Sequence, residues 1–355
     1  MAKLLEEDWM VTPVREPDRE IAAEVQKNWD SIAKPIDGLG VFEKVFCRIG
    51  AIQGTGRPRC RKKRLLIFCA DNGIVAEGVS QCGQEVTLQV AREMTRDESP
   101  VGRMAAIAGV DTFPVDIGIN GSHTRISSPE FKVREGTRNF SHESAMTREE
   151  TVRAIAVGAH LAYLSKEEGY DLLAVGEMGI GNTTTASAVC SALLGLPASE
   201  VTGRGAGLDD EGLERKISLI DTAVSKYGLR DREPLTVLQT VGGLDIAGIA
   251  GVCIGAALYH IPVVLDGMIS LAAALAAERI KRGIKGYLLA SHAGREPACE
   301  KICRELDLRP VLYADMALGE GTGAVMMMQL IDMAASVFYG GTFRDNGIEP
   351  YQRFQ

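Results

Sequence analysis

The chain has 355 residues, 46% of them hydrophobic and 24% charged, with a formal net charge of −8. This is ordinary globular composition, enough for one large domain or two, and it excludes intrinsic disorder. The negative balance gives no global attraction to nucleic acid or to an anionic membrane, and aromatics at 5% are too sparse for a base-stacking platform.

In chain order, Glu20–Ile32 reads as a helix. The run Arg57, Arg59, Arg61, Lys62, Lys63, Arg64 follows, read as a solvated lead-in to an apolar strand, with a phosphate- or partner-binding patch as the alternative. From about residue 64, short apolar runs alternate with helical patterns. The candidate strands are Leu65–Cys69, Thr112–Asp116, Leu172–Val175, Thr236–Val241, Val263–Leu265 and Tyr287–Ala290. Thr147-Arg148-Glu149-Glu150 is a capping box that opens a helix running to Glu168, stopped by Gly169. Ile246–Tyr259 is the most hydrophobic stretch, too short to span a bilayer, and reads as a buried helix. The alternation predicts an α/β fold: an open parallel sheet with helices on both faces, Rossmann-like in type. Both terminal segments lack a convincing core strand, and Val325–Val337 reads as helix. A small helical subdomain built from 1–55 and 326–355 is therefore expected beside a catalytic domain spanning 56–325.

Eight cysteines lie scattered in apolar segments, among them Cys69, Cys190 and Cys253. Cys299 and Cys303 lie four apart, but no His or second Cys pair accompanies them at metal-ligand spacing, so packing in a reducing cytosol is the better reading. His123, His142, His160 and His260 share no spacing that suggests a metal. Met1–Trp9 carries Glu6, Glu7 and Asp8 rather than a basic start and apolar core, so a cytoplasmic location is expected.

Several strands end in glycine-containing loops: Asp71-Asn72-Gly73, Asp116-Ile117-Gly118, Gly176-Glu177-Met178-Gly179, Gly242-Gly243 and Asp266-Gly267. Open parallel sheets bind ligands at the carboxyl ends of their strands, so this repetition points to one composite site. The strongest feature is the strand Leu172–Val175 followed by Gly176-Glu177-Met178-Gly179-Ile180-Gly181-Asn182-Thr183-Thr184-Thr185. Glycines let backbone N–H groups approach an anion, and the helix start behind them adds partial positive charge. Thr183–Thr185 can cap that helix and also donate to phosphate oxygens. The run matches neither the P-loop nor the full dinucleotide fingerprint, so a tight strand–helix turn remains the alternative.

Thr202-Gly203-Arg204-Gly205-Ala206-Gly207, followed by Asp209, Asp210 and Lys216, is a second binding loop or a flexible connection. Leu318-Gly319-Glu320-Gly321-Thr322-Gly323-Ala324 exposes a carboxylate between glycines, and on local grounds alone Glu320 is a solvated loop acid. In Ser291-His292-Ala293-Gly294-Arg295-Glu296, adjacent Ser291 and His292 cannot form a triad hydrogen bond. Ser291 as a substrate donor and His292 as a turn residue is the preferred reading.

Taken in order, Gly136-Thr137-Arg138-Asn139-Phe140, Ala145–Glu149, Gly176–Ser187, Val241–Gly248, Val264–Ser270, Ser291–Glu296 and Leu318–Ala324 resemble the nicotinate-nucleotide–dimethylbenzimidazole phosphoribosyltransferase family. The resemblance extends from Lys34 to Met328. In that family a ring nitrogen of a cobamide lower-ligand base displaces nicotinate from C1′ of nicotinate mononucleotide, giving an α-riboside 5′-phosphate with inversion. The leaving pyridine is already cationic, so the enzyme's tasks are to align two substrates and to take a proton from the incoming base.

The resemblance implies Glu320 as the general base and Glu177 as a supporting catalytic carboxylate, holding the base or steadying charge at the ribose. It places substrate near Ser80, Gln84, Gly176, Met178, Gly179 and Gly181, and near Asn182, Thr183, Gly203, Gly205 and Lys216. Asp245, Asp266, Ser291, Leu318 and Gly319 complete the implied set. No cofactor and no metal are implied; the partners are nicotinate mononucleotide and an aromatic base, in a homodimer or a heterodimer with a homologous subunit.

Three departures leave the acceptor base open. Asp71-Asn72-Gly73 stands for the family's Asp-His-Gly, Cys82 and Gly83 replace bulkier groups before Gln84-Glu85-Val86-Thr87, and Pro35-Ile36-Asp37-Gly38-Leu39-Gly40 replaces Pro-x-Gly-Ser-Leu-Gly. A phenol or p-cresol acceptor is the alternative expectation, with smaller residues at Cys82 and Gly83 altering the pocket. A non-catalytic partner subunit is another. A dinucleotide-dependent oxidoreductase is disfavoured, since no strand leads into Gly-x-Gly-x-x-Gly with an acid about 20 residues on.

Overall fold

The computed structural model describes residues 8–121 and 124–352. His123, residues 1–7 (with Glu6 and Glu7) and residues 353–355 lie outside the described residues. The sheet is centred on β1 (Lys63–Ala70), apolar from Leu65 onward and buried along nearly its whole length. A strand of that kind needs cover on both faces, which is the parallel-sheet pattern. It pairs in parallel with β2 (Val110–Gly118) on one side and β3 (Leu172–Met178) on the other. Then β4 (Val263–Leu265) and β5 (Leu288–Ala290) extend the sheet, giving the order β2-β1-β3-β4-β5.

Side chains leave each strand alternately to opposite faces. Leu66, Phe68, Leu173, Val175, Val263 and Leu265 enter one apolar cluster, whereas Leu65, Ile67, Leu172, Ala174 and Val264 enter the other. Around the sheet, in chain order, stand α1 (Arg19–Ser31), α2 (Val41–Gln53), α3 (Pro100–Ala108), α4 (Arg148–Glu167) and α5 (Asn182–Leu194). They are followed by α6 (Asp210–Lys226), α7 (Pro234–Val241), α8 (Leu244–Leu258), α9 (Met268–Ile280) and α10 (Thr322–Phe338). The expected open parallel α/β sheet, covered on both faces, is what forms.

Helix α4 begins at the capping box: Thr147 Oγ1 accepts from the Glu150 N–H at 3.1 Å, and Glu150 Oε2 accepts from the Thr147 N–H at 2.7 Å. Beyond its end, Gly169 has a φ of 79°, the left-handed stop that glycine allows. Helix α8 is buried around its whole circumference, as a helix apolar on every side beyond its first turn must be, with Asp245 its one charged residue. It packs on α4 so closely that a Cβ on Gly158 would lie 1.9 Å from the Gly248 carbonyl oxygen.

One expected strand is a helix. Thr236–Val241 forms the body of α7. Pro234 supplies its first turn and Gly242 ends it, and a run this short has no period that separates helix from strand.

On the second face, α1, α2 and α10 meet around Trp29, whose ring centroid is 5.7 Å from Phe46 and 4.9 Å from Phe338. These rings share their cluster with Leu65, Ile67 and Ala174 of the sheet. The basic run divides by role. Lys63 is buried and bonded to Asp332, and Arg64 lies 3.9 Å over the Tyr170 ring, while Arg57, Arg59 and Arg61 stay exposed. All eight cysteines are free thiols. No helix among the described residues is long and apolar enough to cross a membrane.

A Cβ on Gly251 would lie 2.0 Å from the Ile155 carbonyl oxygen, so Gly251→Ala must push α8 off α4. The expected loss is about 1–3 kcal/mol of stability, the usual cost of overpacking. Urea unfolding followed by circular dichroism measures it, and an unchanged midpoint would contradict this packing.

Candidate active site

A cleft of about 240 Å³ opens at the carboxyl ends of the strands. The strand order turns back between β1 and β3, and open sheets leave their binding crevice at such a point. Most of the residues expected at a site meet here. Ser80, Gly176, Glu177, Met178, Gly179, Gly181, Asn182 and Thr183 line it, together with Gly205, Asp266, Leu318, Gly319 and Glu320.

One end of the cleft is built for an anion. Strand β3 runs into the turn that starts α5, where Gly181 has a φ of 90° and a Cβ would meet Val75 Cγ2 at 2.6 Å. Of the three threonines that follow, only Thr183 reaches the cleft. Thr184 is fully buried, and Thr185 donates to the Asn182 carbonyl at 2.8 Å. Behind Thr183 lies Lys216, completely buried, donating to Thr183 Oγ1 at 2.9 Å and to the Gly203 carbonyl at 3.1 Å. Burial draws its ammonium down to about 8, against the opposing charge of Glu296. An ammonium held this way, beside a helix start, favours phosphate.

Glu296 carries no role from sequence, yet it organises this end. Its Oε1 accepts the Gly205 N–H at 2.9 Å, closing the 203–207 loop over Lys216, while its Oε2 is buried without a partner. Local sequence holds no signal for this, because the contact joins loops 91 residues apart. Gln81 bonds the Gly207 carbonyl and ties the same loop to the segment carrying Ser80.

The opposite end gathers acids. Glu177 and Asp245 are bridged by the side-chain amide of Asn182, which donates to both, to Asp245 Oδ2 at 3.0 Å. Burial, and then the charge of Asp245, push the Glu177 carboxyl up to about 8; burial pushes Asp245 up to about 6. Each carboxylate's charge opposes ionisation of the other. Asp245 thus reaches the cleft through Asn182 rather than lining it.

Glu320 is nearly buried, at 8% exposure, rather than the solvated acid its neighbours suggest. It has a φ of 61° between Gly319 at 83° and Gly321 at 94°, three left-handed residues in succession. A non-glycine residue there costs on the order of 1–3 kcal/mol and persists only where surroundings enforce it. The enforcing groups are visible. Glu320 Oε2 accepts the Val101 N–H of α3 at 3.0 Å, and Asp266 accepts the N–H groups of Gly321, Gly323 and Ala324 at 3.1, 2.8 and 3.3 Å. Asp266 therefore caps α10 with its carboxylate and fixes the turn that carries Glu320. Burial raises the Glu320 carboxyl above its ordinary value, with the Val101 N–H pulling back.

Four expected contacts besides Asp245 stand behind the cleft wall. Lys216 acts through Thr183. Gly203 packs under Glu296. Ser291 Oγ lies 3.1 Å from His292 Nδ1, the hydrogen bond that adjacency was expected to forbid, but Ser291 is buried behind the wall and not presented to the cleft. Gln84 is tied between the Asn72 carbonyl at 2.8 Å and Asn120 Nδ2 at 2.7 Å. Neither Cys82 nor Gly83 lines the cleft, and Asn72 is buried beneath the Gly179–Gly181 turn. Among the described residues no three His, Cys, Asp or Glu side chains are placed to hold a metal ion.

Comparison with known proteins agrees with this architecture. A family profile described as phosphoribosyltransferase matches residues 14–348. The nicotinate-nucleotide–dimethylbenzimidazole phosphoribosyltransferase of Clostridium acetobutylicum is 40% identical over 336 residues, 94% of this chain and 96% of its own length. The enzyme of the same name from Acetivibrio thermocellus is 42% identical over 329 residues, covering 92% and 94%. A crystal structure of CobT from Thermus thermophilus superposes with a TM-score of 0.88 at 38% identity, over 93% of this chain and 99% of that one.

Asp266→Ala leaves three buried N–H groups at the start of α10 without an acceptor. We expect a loss of about 1–3 kcal/mol, seen as a lowered melting temperature, with Asp266→Asn losing less because it keeps one acceptor oxygen. Equal melting temperatures for both variants and the wild type would remove Asp266 as the cap.

Proposed function

Because the chain belongs to the nicotinate-nucleotide–dimethylbenzimidazole phosphoribosyltransferase family, we propose that it moves the ribose 5-phosphate of nicotinate mononucleotide to a benzimidazole lower-ligand base of a cobamide. The observation that carries this reading is the polarity of the cleft. Lys216 stands behind Thr183 and Gly205 at one end, with Glu296 beside it, while the carboxyls of Glu177 and Asp245 gather at the Asn182 amide and those of Asp266 and Glu320 at the turn before α10. Nicotinate mononucleotide carries an anionic phosphate and a pyridinium nitrogen next to C1′, the positive centre that the acids would face, with the ring carboxylate directed away from them.

The donor phosphate sits against Thr183 and Gly205, with Lys216 behind them. Its ribose points C1′ toward Glu177, whose proton is released when the pyridinium arrives, because an opposite charge favours the ionised carboxyl. The acceptor base enters beside Ser80, Met178 and Leu318. Glu320 takes the proton from the base's other ring nitrogen as the unprotonated one forms its bond to C1′ on the face opposite the departing nicotinate. Its raised basicity suits this role. The relatives carry dimethylbenzimidazole in their names, which favours that class of acceptor over a phenol.

A cytoplasmic location fits eight free thiols. A dimer fits the exposed Met326 and Met333, seven apart on α10. The catalytic domain of residues 56–325 beside terminal helices is supported by the meeting of α1, α2 and α10 around Trp29.

Glu320→Gln is expected to lower kcat by about 10²–10⁴ with the fold intact. A carboxyl must be ionised to accept a proton, so wild-type activity falls as pH drops through its raised value, and this limb sits above that of an ordinary glutamate. The variant loses that limb; wild-type turnover in Glu320→Gln would dismiss it as the base. At the other end, Lys216 loses its charge as pH climbs through about 8, so donor KM rises there. Lys216→Met raises donor KM about 10- to 100-fold, the worth of a charge-assisted hydrogen bond, and flattens that dependence; steady-state kinetics across pH checks both.

A further inference from the structure

Three of the basic residues ahead of β1 take no part in the catalytic cleft. Arg57, Arg59 and Arg61 lie before the amino end of the strand, whereas the cleft is at the carboxyl ends. They line a concavity of about 820 Å³ together with Tyr339, Asp171 and Asp332. Arg57, Arg59 and Asp171 also border a second concavity of about 410 Å³, whose wall includes Lys166. Both volumes are of small-molecule size.

The acids here are already engaged. Asp332 is bonded to buried Lys63. Asp171 Oδ2 accepts the N–H groups of Arg61 and Lys62, each at 3.1 Å, and its Oδ1 lies 3.5 Å from Arg59 Nε. Among the described residues neither Arg57 nor Arg61 has an acidic partner, and Arg57 rests 5.7 Å over the Tyr339 ring. The positive charge is therefore uncompensated, and its reach is visible in the neighbours. Burial lowers the Lys166 ammonium and the charge of Arg59 lowers it further; the three arginines all act on the Tyr339 phenol against the burial that raises it.

The backbone that carries the arginines is held in place before any ligand arrives. The Arg59 N–H donates to Gln53 Oε1 at 2.8 Å, and Gln53 Nε2 donates to the Arg59 carbonyl at 2.7 Å. The Tyr339 hydroxyl donates to the Pro58 carbonyl at 2.5 Å. Pinning of this kind removes part of the ordering cost of binding. Alternate residues of a chain stand at most about 7 Å apart, so the three arginines are spread along one groove and offer charge to an elongated anion over more of its length than to a single phosphate. Guanidinium forks match phosphate oxygens.

We propose that this groove binds a linear oligophosphate, free or as the phosphate chain of a nucleoside triphosphate, at a site separate from the catalytic cleft. Isothermal titration of the full chain at low ionic strength, with tripolyphosphate, ATP and orthophosphate, tests it. Tripolyphosphate and ATP should each bind at one site, about tenfold or more tighter than orthophosphate, and weaken as salt is added. Equal affinity for the two assigns recognition to the phosphate chain alone, and tighter ATP adds the nucleoside to it. Saturating nicotinate mononucleotide should leave both unchanged, whether or not the catalytic reading holds. The double variant Arg57→Ala/Arg61→Ala alters exposed side chains and should keep wild-type melting and turnover while losing about tenfold or more in affinity. Absence of binding, displacement by nicotinate mononucleotide, or wild-type affinity in the double variant would overturn the proposal.

Discussion

The position of Glu320 depends on the missing side chain of Gly176. A Cβ at that residue would lie 2.3 Å from the Glu320 carbonyl oxygen, so the end of β3 and the turn before α10 touch only because glycine stands there. The turn then needs outside support, since three left-handed residues in a row do not hold themselves. Asp266 supplies it from the end of β4 and Val101 from the start of α3. One carboxylate is thus located by three elements that are themselves packed into the sheet, which is how a site on a rigid scaffold keeps its geometry.

The same close approach concentrates charge. Glu177 rests against Gly319, and its environment includes Asp245, Asp266 and Glu320. Such a group of acids is tolerated because Asn182 donates to two of them, the helix start of α10 satisfies a third, and Glu177 keeps its proton near neutral pH. The chain has set the only buried ammonium of the cleft, Lys216 among the described residues, at the far end, with Glu296 and the glycine loop holding it there.

Much of this is legible in the sequence, for identifiable reasons. Strands β1 to β5 announce themselves as apolar runs that end in glycine loops, and the Thr147 box marks the start of α4. The ambiguous case is Thr236–Val241, whose β-branched residues imitate a strand although Pro234 and Gly242 bound a short helix. At the site, glycines reveal which loops approach a ligand but not which side chains stand behind them. Lys216 and Asp245 are named by resemblance, and only the fold shows that they act through Thr183 and Asn182. Glu296 and Val101 are silent in sequence because each meets its partner across a long chain separation, and Glu320 looks exposed until the sheet closes over it.

The aromatic contact between Trp29 and Phe338 joins the first long helix of the described chain to the last. During synthesis the amino-terminal part emerges first and starts to fold while the rest is still being made. Helices α1 and α2 then have an open apolar flank until α10, which starts 269 residues after α2 ends, leaves the ribosome. The second face of the sheet is consequently completed last, and the turn bearing Glu320 is completed with it. A chain truncated before α10 therefore has both an unfinished core on this face and a Glu320 turn without the helix that Asp266 caps.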